Sequence, residues 1–272
     1  MRYRYLGALA AALVAAGCSR AGSDENAFRW SSELPAGSVV HIRDGAGNIT
    51  VRRASGQQTT VTGGRRWRRS RARDVQFQVV NGSKDVFVCA MWRNSGKCGA
   101  DGYRGRNTGG FLAMFSLFHR KSDAAADFVV ELPANVAVDA RTNLGSVDID
   151  GAAAGVIAKS TNGNVSAMNV SGPVALTTTN GNVGLSVDSV ADTDSIRLST
   201  TNGSIRAELP PALQGRFDLS ASNGRVHSDL PLQAGKSSRK LQGQIGTLSR
   251  LVRLHTTNGT VAVTTRGAPA TP

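Results

Sequence analysis

A short phrase recurs through the C-terminal half of the chain and constrains its fold more than any other feature. It reads Thr161-Asn162-Gly163-Asn164-Val165, Thr179-Asn180-Gly181-Asn182-Val183 and Thr201-Asn202-Gly203-Ser204-Ile205. Two further copies are Ser222-Asn223-Gly224-Arg225-Val226 and Thr257-Asn258-Gly259-Thr260-Val261, with a variant at Asn143-Leu144-Gly145-Ser146-Val147. Successive glycines (Gly145, Gly163, Gly181, Gly203, Gly224, Gly259) are 18, 18, 22, 21 and 35 residues apart. Spacings near twenty are the mark of a stacked repeat architecture.

The flanks keep the same register. Two residues after each glycine stands Val147, Val165, Val183, Ile205, Val226 or Val261. Five before stands Ala140, Ala158, Leu176, Leu198, Leu219 or Leu254, and seven before Val138, Val156, Val174, Ile196, Phe217 or Val252. Apolar residues at offsets of two mean a strand on each side of the glycine. Asn tolerates the left-handed conformation and Gly accepts it freely, so Asn-Gly is a corner. Asn-Gly between alternating strands also reads as a hairpin, which makes an antiparallel meander the rival fold. Identical offsets at six corners favour stacked coils, where equivalent residues lie above one another. The expected fold is all-β: a single-stranded parallel β-solenoid (β-helix-like) built from Asn-Gly-cornered repeats. An earlier partial copy has Val40, Ile42, Gly47, Ile49 and Val51 at the same offsets. Between it and the next copy, Asp74 to Trp92 reads as two strands around Asn81-Gly82, with Val75, Phe77 and Val79 before and Val86, Val88 and Ala90 after.

The series TNGNV, TTNGNV, TTNGSI, SNGRV, TTNGTV, preceded by FVVELPANVAVDARTNLGSVDIDG with its Leu132-Pro133, resembles the bacterial putative-adhesin family, domain of unknown function 4097. The resemblance runs from Ser38 to Thr265. It implies a β-solenoid of the cell envelope and brings no catalytic residues with it.

The first segment reads as an address. MRYRYLGALAAALVAAGC has Arg2 and Arg4, an apolar run from Leu6 to Ala16, and small residues before Cys18. That run is about half the roughly 20 residues a spanning helix needs, so it is an export signal. The end of it resembles the lipobox of bacterial lipoproteins, which implies cleavage after Gly17 and diacylglycerol on the Cys18 thiol. Ser19 in place of aspartate points to outer-membrane sorting. The expected organisation is a signal peptide over 1–17, a lipidated tether over 18–30, the solenoid domain over 31–266 with an irregular insertion at about 93–126, and a tail over 267–272. In an oxidising compartment Cys89 and Cys98, the two remaining cysteines, are expected to form a disulfide.

The chain of 272 residues has a formal net charge of +13, 40% apolar and 19% charged residues. That composition supplies a core and argues against disorder. Aromatics are 5%, few for a binder built on stacking. Six arginines, Arg65, Arg66, Arg68, Arg69, Arg71 and Arg73, fall within nine residues. Such a run is either a solvated strand edge or a contact for anionic lipid, lipopolysaccharide or another envelope polymer. Nucleic acid is not expected as a partner of an exported chain. Phe111, Met114, Phe115 and Phe118 lie on one face of a short helix that either caps the solenoid or touches lipid.

His41, His119, His227 and His255 are scattered, and neither G-x-S-x-G nor H-E-x-x-H occurs. Asp188, Asp192 and Asp194 lack calcium-loop spacing and read as a solvated turn. The serines and threonines before each corner are candidates for an outward ladder. No catalytic, metal or cofactor residues are assigned, and a non-enzymatic binding or scaffolding module is expected. The alternatives are an enzyme acting on envelope glycan and an accessory factor in envelope stress sensing.

Overall fold

The computed structural model describes residues 27–67, 74–92, 97–99, 124–234 and 238–266. The chain begins with β1 (Ala27–Glu33), β2 (Val39–Arg43), β3 (Ile49–Arg53), β4 (Gln58–Arg66), β5 (Val75–Asn81), β6 (Val86–Trp92) and β7 (Ala125–Leu132). It continues through β8 (Ala137–Leu144), β9 (Val147–Asp150), β10 (Val156–Asn162), β11 (Val165–Ser171), β12 (Val174–Asn180), β13 (Val183–Ser189), β14 (Ile196–Asn202) and β15 (Ile205–Leu209). The last part is β16 (Gly215–Asn223), β17 (Val226–Ser228), β18 (Gln233–Ala234), β19 (Lys240–Ile245), β20 (Leu251–Asn258) and β21 (Val261–Thr265). No α-helix occurs among the described residues.

Each repeat is one coil, with the strand before its corner in one sheet and the strand after it in the other. The first sheet has the order β1-β4-β7-β3-β9-β11-β13-β15-β21-β17, the second β18-β19-β16-β20-β14-β12-β10-β8-β2-β6-β5. Neighbouring coils pair parallel and in register: Val138, Val156, Val174, Ile196, Val252 and Phe217 form one inward row. Val147, Val165, Val183, Ile205, Val261 and Val226 form the facing row. This parallel register excludes the meander, whose neighbours would run antiparallel. Both rows are buried, and each such side chain contributes about 1.5–3 kcal/mol by leaving water.

Spatial order departs from chain order at both ends. β20 and β21 insert between β14–β15 and β16–β17, so the last coil of the chain is interior. The long interval between Gly224 and Gly259 holds β19, which runs antiparallel along the outside of β16 before the chain turns back. At the other end β6 and β7 form a coil outside β2 and β3. In that coil the Asn-Gly corner is replaced by residues 93–124, and the expected helix at Phe111–Phe118 lies there, outside the described residues.

The strands expected around Asn81-Gly82 are the hairpin β5–β6, with Val75 opposite Trp92 and Asn81 opposite Val86. β5 covers that end of the second sheet, while β4 pairs antiparallel with β7 and β1 antiparallel with β4 to cover the same end of the first sheet. Phe28 stacks on Phe77 at 4.9 Å, and Phe77 meets Phe128 edge-to-face at 5.4 Å, filling the space between these covering strands.

Candidate functional site

The corners form one edge of the solenoid. Gly145, Gly163, Gly181, Gly203, Gly224 and Gly259 all have positive φ, between 150° and 157°. Close approach restricts them further. A Cβ on Gly181 would collide with the carbonyl oxygen of Gly163, and one on Gly203 with that of Gly181. The stacked corners therefore demand glycine twice, for conformation and for space.

Three residues before each glycine the side chain points inward. Thr142, Ser160, Thr178, Thr200 and Thr256 donate their hydroxyls to the corner carbonyls of Gly47, Gly145, Gly163, Gly181 and Gly203 at 2.8–3.1 Å. These five are buried, so they are structural cement and not an outward ladder. The outward ladder is made by asparagines. Asn180, Asn202, Asn258 and Asn223 donate Nδ2 to Oδ1 of Asn162, Asn180, Asn202 and Asn258 at 2.8–2.9 Å. It stops beyond Asn162 because Leu144 holds the next place in register. All five amides are exposed and fixed one strand apart.

In the first copy the inward hydroxyl is replaced by Asp44, three residues before Gly47. Its carboxyl is pushed up to about 8, chiefly by burial and also by the charge of Asp127, against opposing bonds from the Ala46 and Gly45 amides and from Thr142. Thr142 Oγ1 lies 3.5 Å from Asp44 Oδ2 and 3.1 Å from the Gly47 carbonyl. One hydroxyl proton cannot serve both acceptors at once, so Thr142 offers the Asp44 carboxyl little against the burial that favours its neutral form.

A second polar cluster sits on the outer face of the second sheet. Arg43 Nη2 donates to Asp139 Oδ2 at 2.6 Å, Arg141 Nε to Oδ1 at 2.8 Å, and His41 Nδ1 lies 3.0 Å from Oδ2. Burial raises the Asp139 carboxyl, but bonds from His41, Arg43 and Arg141 outweigh it and hold the group well below the usual carboxylate range. The His41 ring stacks on Phe87 at 4.3 Å, and its Nε2 is 3.6 Å from Asp85. This arrangement ties β2 to β8. Next to it, Cys89 and Cys98 are joined, with Cα atoms 5.8 Å apart.

Of the arginine run, Arg65 lies 4.8 Å over the Phe77 ring, and Arg66 forms a two-pronged pair with Asp127. Both contacts help hold β4 in place, and the Arg66 side chain stays largely exposed. Arg68, Arg69, Arg71 and Arg73 lie outside the described residues, as do Cys18 and its tether as far as Asn26. Asp188 is engaged by Arg266, and Asp192 by Arg250 at 3.5 Å, so these acids answer separate cations. Among the described residues no group of three or more His, Cys, Asp or Glu could hold a metal ion. The Asp139 cluster was not anticipated from sequence, because His41, Arg43 and Asp139 are brought together only by the parallel pairing of β2 with β8. Asp44 did leave a signal, since it occupies the hydroxyl position of the first copy.

No curated protein matches the chain. Among solved structures, a putative cell adhesion protein from Clostridium sporogenes ATCC 15579 aligns with a TM-score of 0.51 at 10% identity, covering 88% of this chain and 100% of that one. A putative adhesin from Bacteroides fragilis NCTC 9343 aligns at a TM-score of 0.32 and 11% identity, covering 88% of this chain and 96% of that one. At such identities the likeness to the first is one of fold alone. The model of the Toastrack DUF4097 family matches residues 121–264, from just before β7 to β21, and β2–β3 complete the same stack ahead of it. The match spans more than half of the sequence, and the chain belongs to the Toastrack DUF4097 family.

Proposed function

We propose that this protein is a lipid-anchored module of the bacterial outer membrane whose solenoid binds or scaffolds and performs no chemistry. The observation that carries the reading is the fixed outer surface: the exposed asparagine amides are locked to one another at strand spacing by an in-register backbone. A surface of that kind presents a constant pattern to a partner with little ordering cost on binding. Several of the described carboxyls are already engaged in structural bonds. Asp139 answers Arg43, Arg141 and His41, and Asp127, Asp188 and Asp192 each answer an arginine. The adhesion role suggested for the Clostridium sporogenes protein fits the same reading.

The signal sequence with its lipobox-like end places the module in the envelope, with Cys18 carrying the anchor. From Cys18 to Ala27 the tether spans at most about 30 Å, so the domain stays beside its membrane. Anionic lipid or lipopolysaccharide is then within reach of Arg68, Arg69, Arg71 and Arg73. Each basic residue near such a surface adds about 1 kcal/mol of attraction, which salt screens. The test is flotation of the full chain with vesicles containing anionic lipid, at low and high salt. Changing those four arginines to serine should remove most of the low-salt binding while Arg65 and Arg66 keep β4 in place. Undiminished binding by that variant would reduce the run to a charged edge.

A further inference from the structure

The two outer faces of the solenoid differ in charge. On the first sheet, exposed Glu131, Asp148, Asp150 and Glu208 are interspersed with Arg52 and Arg206. On the second sheet, from β10 to β16, the exposed charged residues are Lys159, Arg197, Arg253 and Arg216. The acid among them is Asp218, half-buried and already held by Arg253 Nε at 3.5 Å and Gln242 Nε2 at 3.1 Å.

The register sets these cations along an oblique line across the face. In the order β10-β12-β14-β20-β16, Lys159 stands on the first strand, Arg197 on the third, Arg253 on the fourth and Arg216 on the fifth. Arg197 and Arg253 share one row, Lys159 stands two residues further along its strand and Arg216 two residues back, so at about 4.8 Å per strand and 3.3 Å per residue the cations span a diagonal of about 23 Å across the face. Arg197 and Arg253 are direct partners in register. Like charges side by side on neighbouring strands repel, and Asp218 relieves Arg253 alone. Around them the face is mostly small or polar: Ala175, Thr177, Ser199 and His255, with Ile157 and Leu251 as its larger apolar residues.

We propose that this face of the second sheet, centred on Arg197 and Arg253, docks a linear polyanion carrying closely spaced phosphate groups. An anion seated between the two guanidiniums relieves their repulsion and gains charge-assisted hydrogen bonds from both. A chain of such groups laid obliquely across the strands then reaches Lys159 on one side and Arg216 on the other. A polymer fits better than a bilayer for two reasons. The cations form a line and not a broad field, and the face has no Trp, Tyr or Phe to sit at headgroup level. The proposal rests on the binding-module reading and adds a partner class and a surface. It is independent of the arginine run, which lies between β4 and β5 at the opposite end of the stack.

The experiment uses the full chain in neutral detergent with fluorescently labelled inorganic polyphosphate, and follows binding against salt. A protein of net charge +13 attracts any polyanion, so two variants of equal charge are compared. One is Arg197→Ser with Arg253→Ser; the other is Arg52→Ser with Arg206→Ser on the opposite face. The first should lose about tenfold or more in affinity, with a shallower dependence on salt, while the second changes by less than about threefold. Equal loss in both variants would mean generic charge attraction and overturn the proposal, as would no loss in either. The same variants are also floated with anionic vesicles. If Arg197→Ser/Arg253→Ser weakens vesicle binding and leaves polyphosphate binding intact, the face serves a bilayer and the polymer proposal fails. Failure of the module reading is separate, because it would appear as loss of envelope anchoring or unaffected vesicle binding by the arginine-run variant.

Discussion

Gly203 donates its amide N–H to the carbonyl of Asn258 at 2.9 Å, while Gly224, the next corner in sequence, lies one coil further out and takes its place beside Gly259. The C-terminal coil is therefore interior. Its Val252, Leu254, Val261 and Val263 are fully buried between the two neighbouring coils.

Truncation after Ile245 should consequently unfold the C-terminal third and not merely shorten the stack. Four buried aliphatic side chains contribute about 6–12 kcal/mol, comparable to the whole stability of a typical domain. Urea unfolding followed by circular dichroism checks this. A truncated chain that folds with only a proportionate loss would show that the coils stack in chain order.

The corner column gives a second prediction. Gly181→Ala should cost about 3 kcal/mol or more, since its Cβ meets the Gly163 carbonyl and its φ is 157°. Thr178→Val keeps the shape but removes the donor to that same carbonyl, and should cost about 1–3 kcal/mol. Thr179→Ser, exposed one residue on, should be nearly neutral. Chemical denaturation of the three variants ranks them, and equal costs at Thr178 and Thr179 would contradict the inward hydroxyl column.

Much of this was legible because it is local and repeated. The offsets around Gly163, Gly181 and Gly203 specify both strands, the corner and the inward row without any knowledge of distant contacts. The order of coils was not legible, because Gly224 and Gly259 carry the same corner signature whether they stack in sequence or swap. Nor was the end closure: Phe28, Phe77 and Phe128 meet only after β1, β4 and β5 have paired antiparallel. The arginine run was half legible. Its charge is evident, but the engagement of Arg65 by Phe77 and Arg66 by Asp127 depends on strand pairing.

Asp44 predicts an unusual dependence on pH. Its folded value of about 8 is above the ordinary carboxylate value, so the folded state holds a proton that the unfolded state releases. Its stabilising contribution is complete below about pH 4. It is lost as pH rises from about 4 to 8, by at most about 1.4 kcal/mol per pH unit. Asp139, whose carboxyl is held down, acts in the opposite sense, since its contribution is present at neutral pH and is lost on acidification. Asp44→Thr, which restores the hydroxyl of the other coils, should stabilise the protein at pH 8 and much less at pH 5. Urea midpoints at the two pH values decide it, and an equal shift at both would show that Asp44 is not a buried neutral acid.

The anchored-module account is tested most directly by the intact mass and fractionation of the protein recovered from cells. The account predicts a chain beginning at Cys18, heavier than its sequence by lipid, found with the outer membrane and carrying the Cys89–Cys98 bond. Cys18→Ala should appear soluble or uncleaved. An unlipidated wild-type chain, or a Cys18→Ala variant processed and membrane-bound like its parent, would contradict the account.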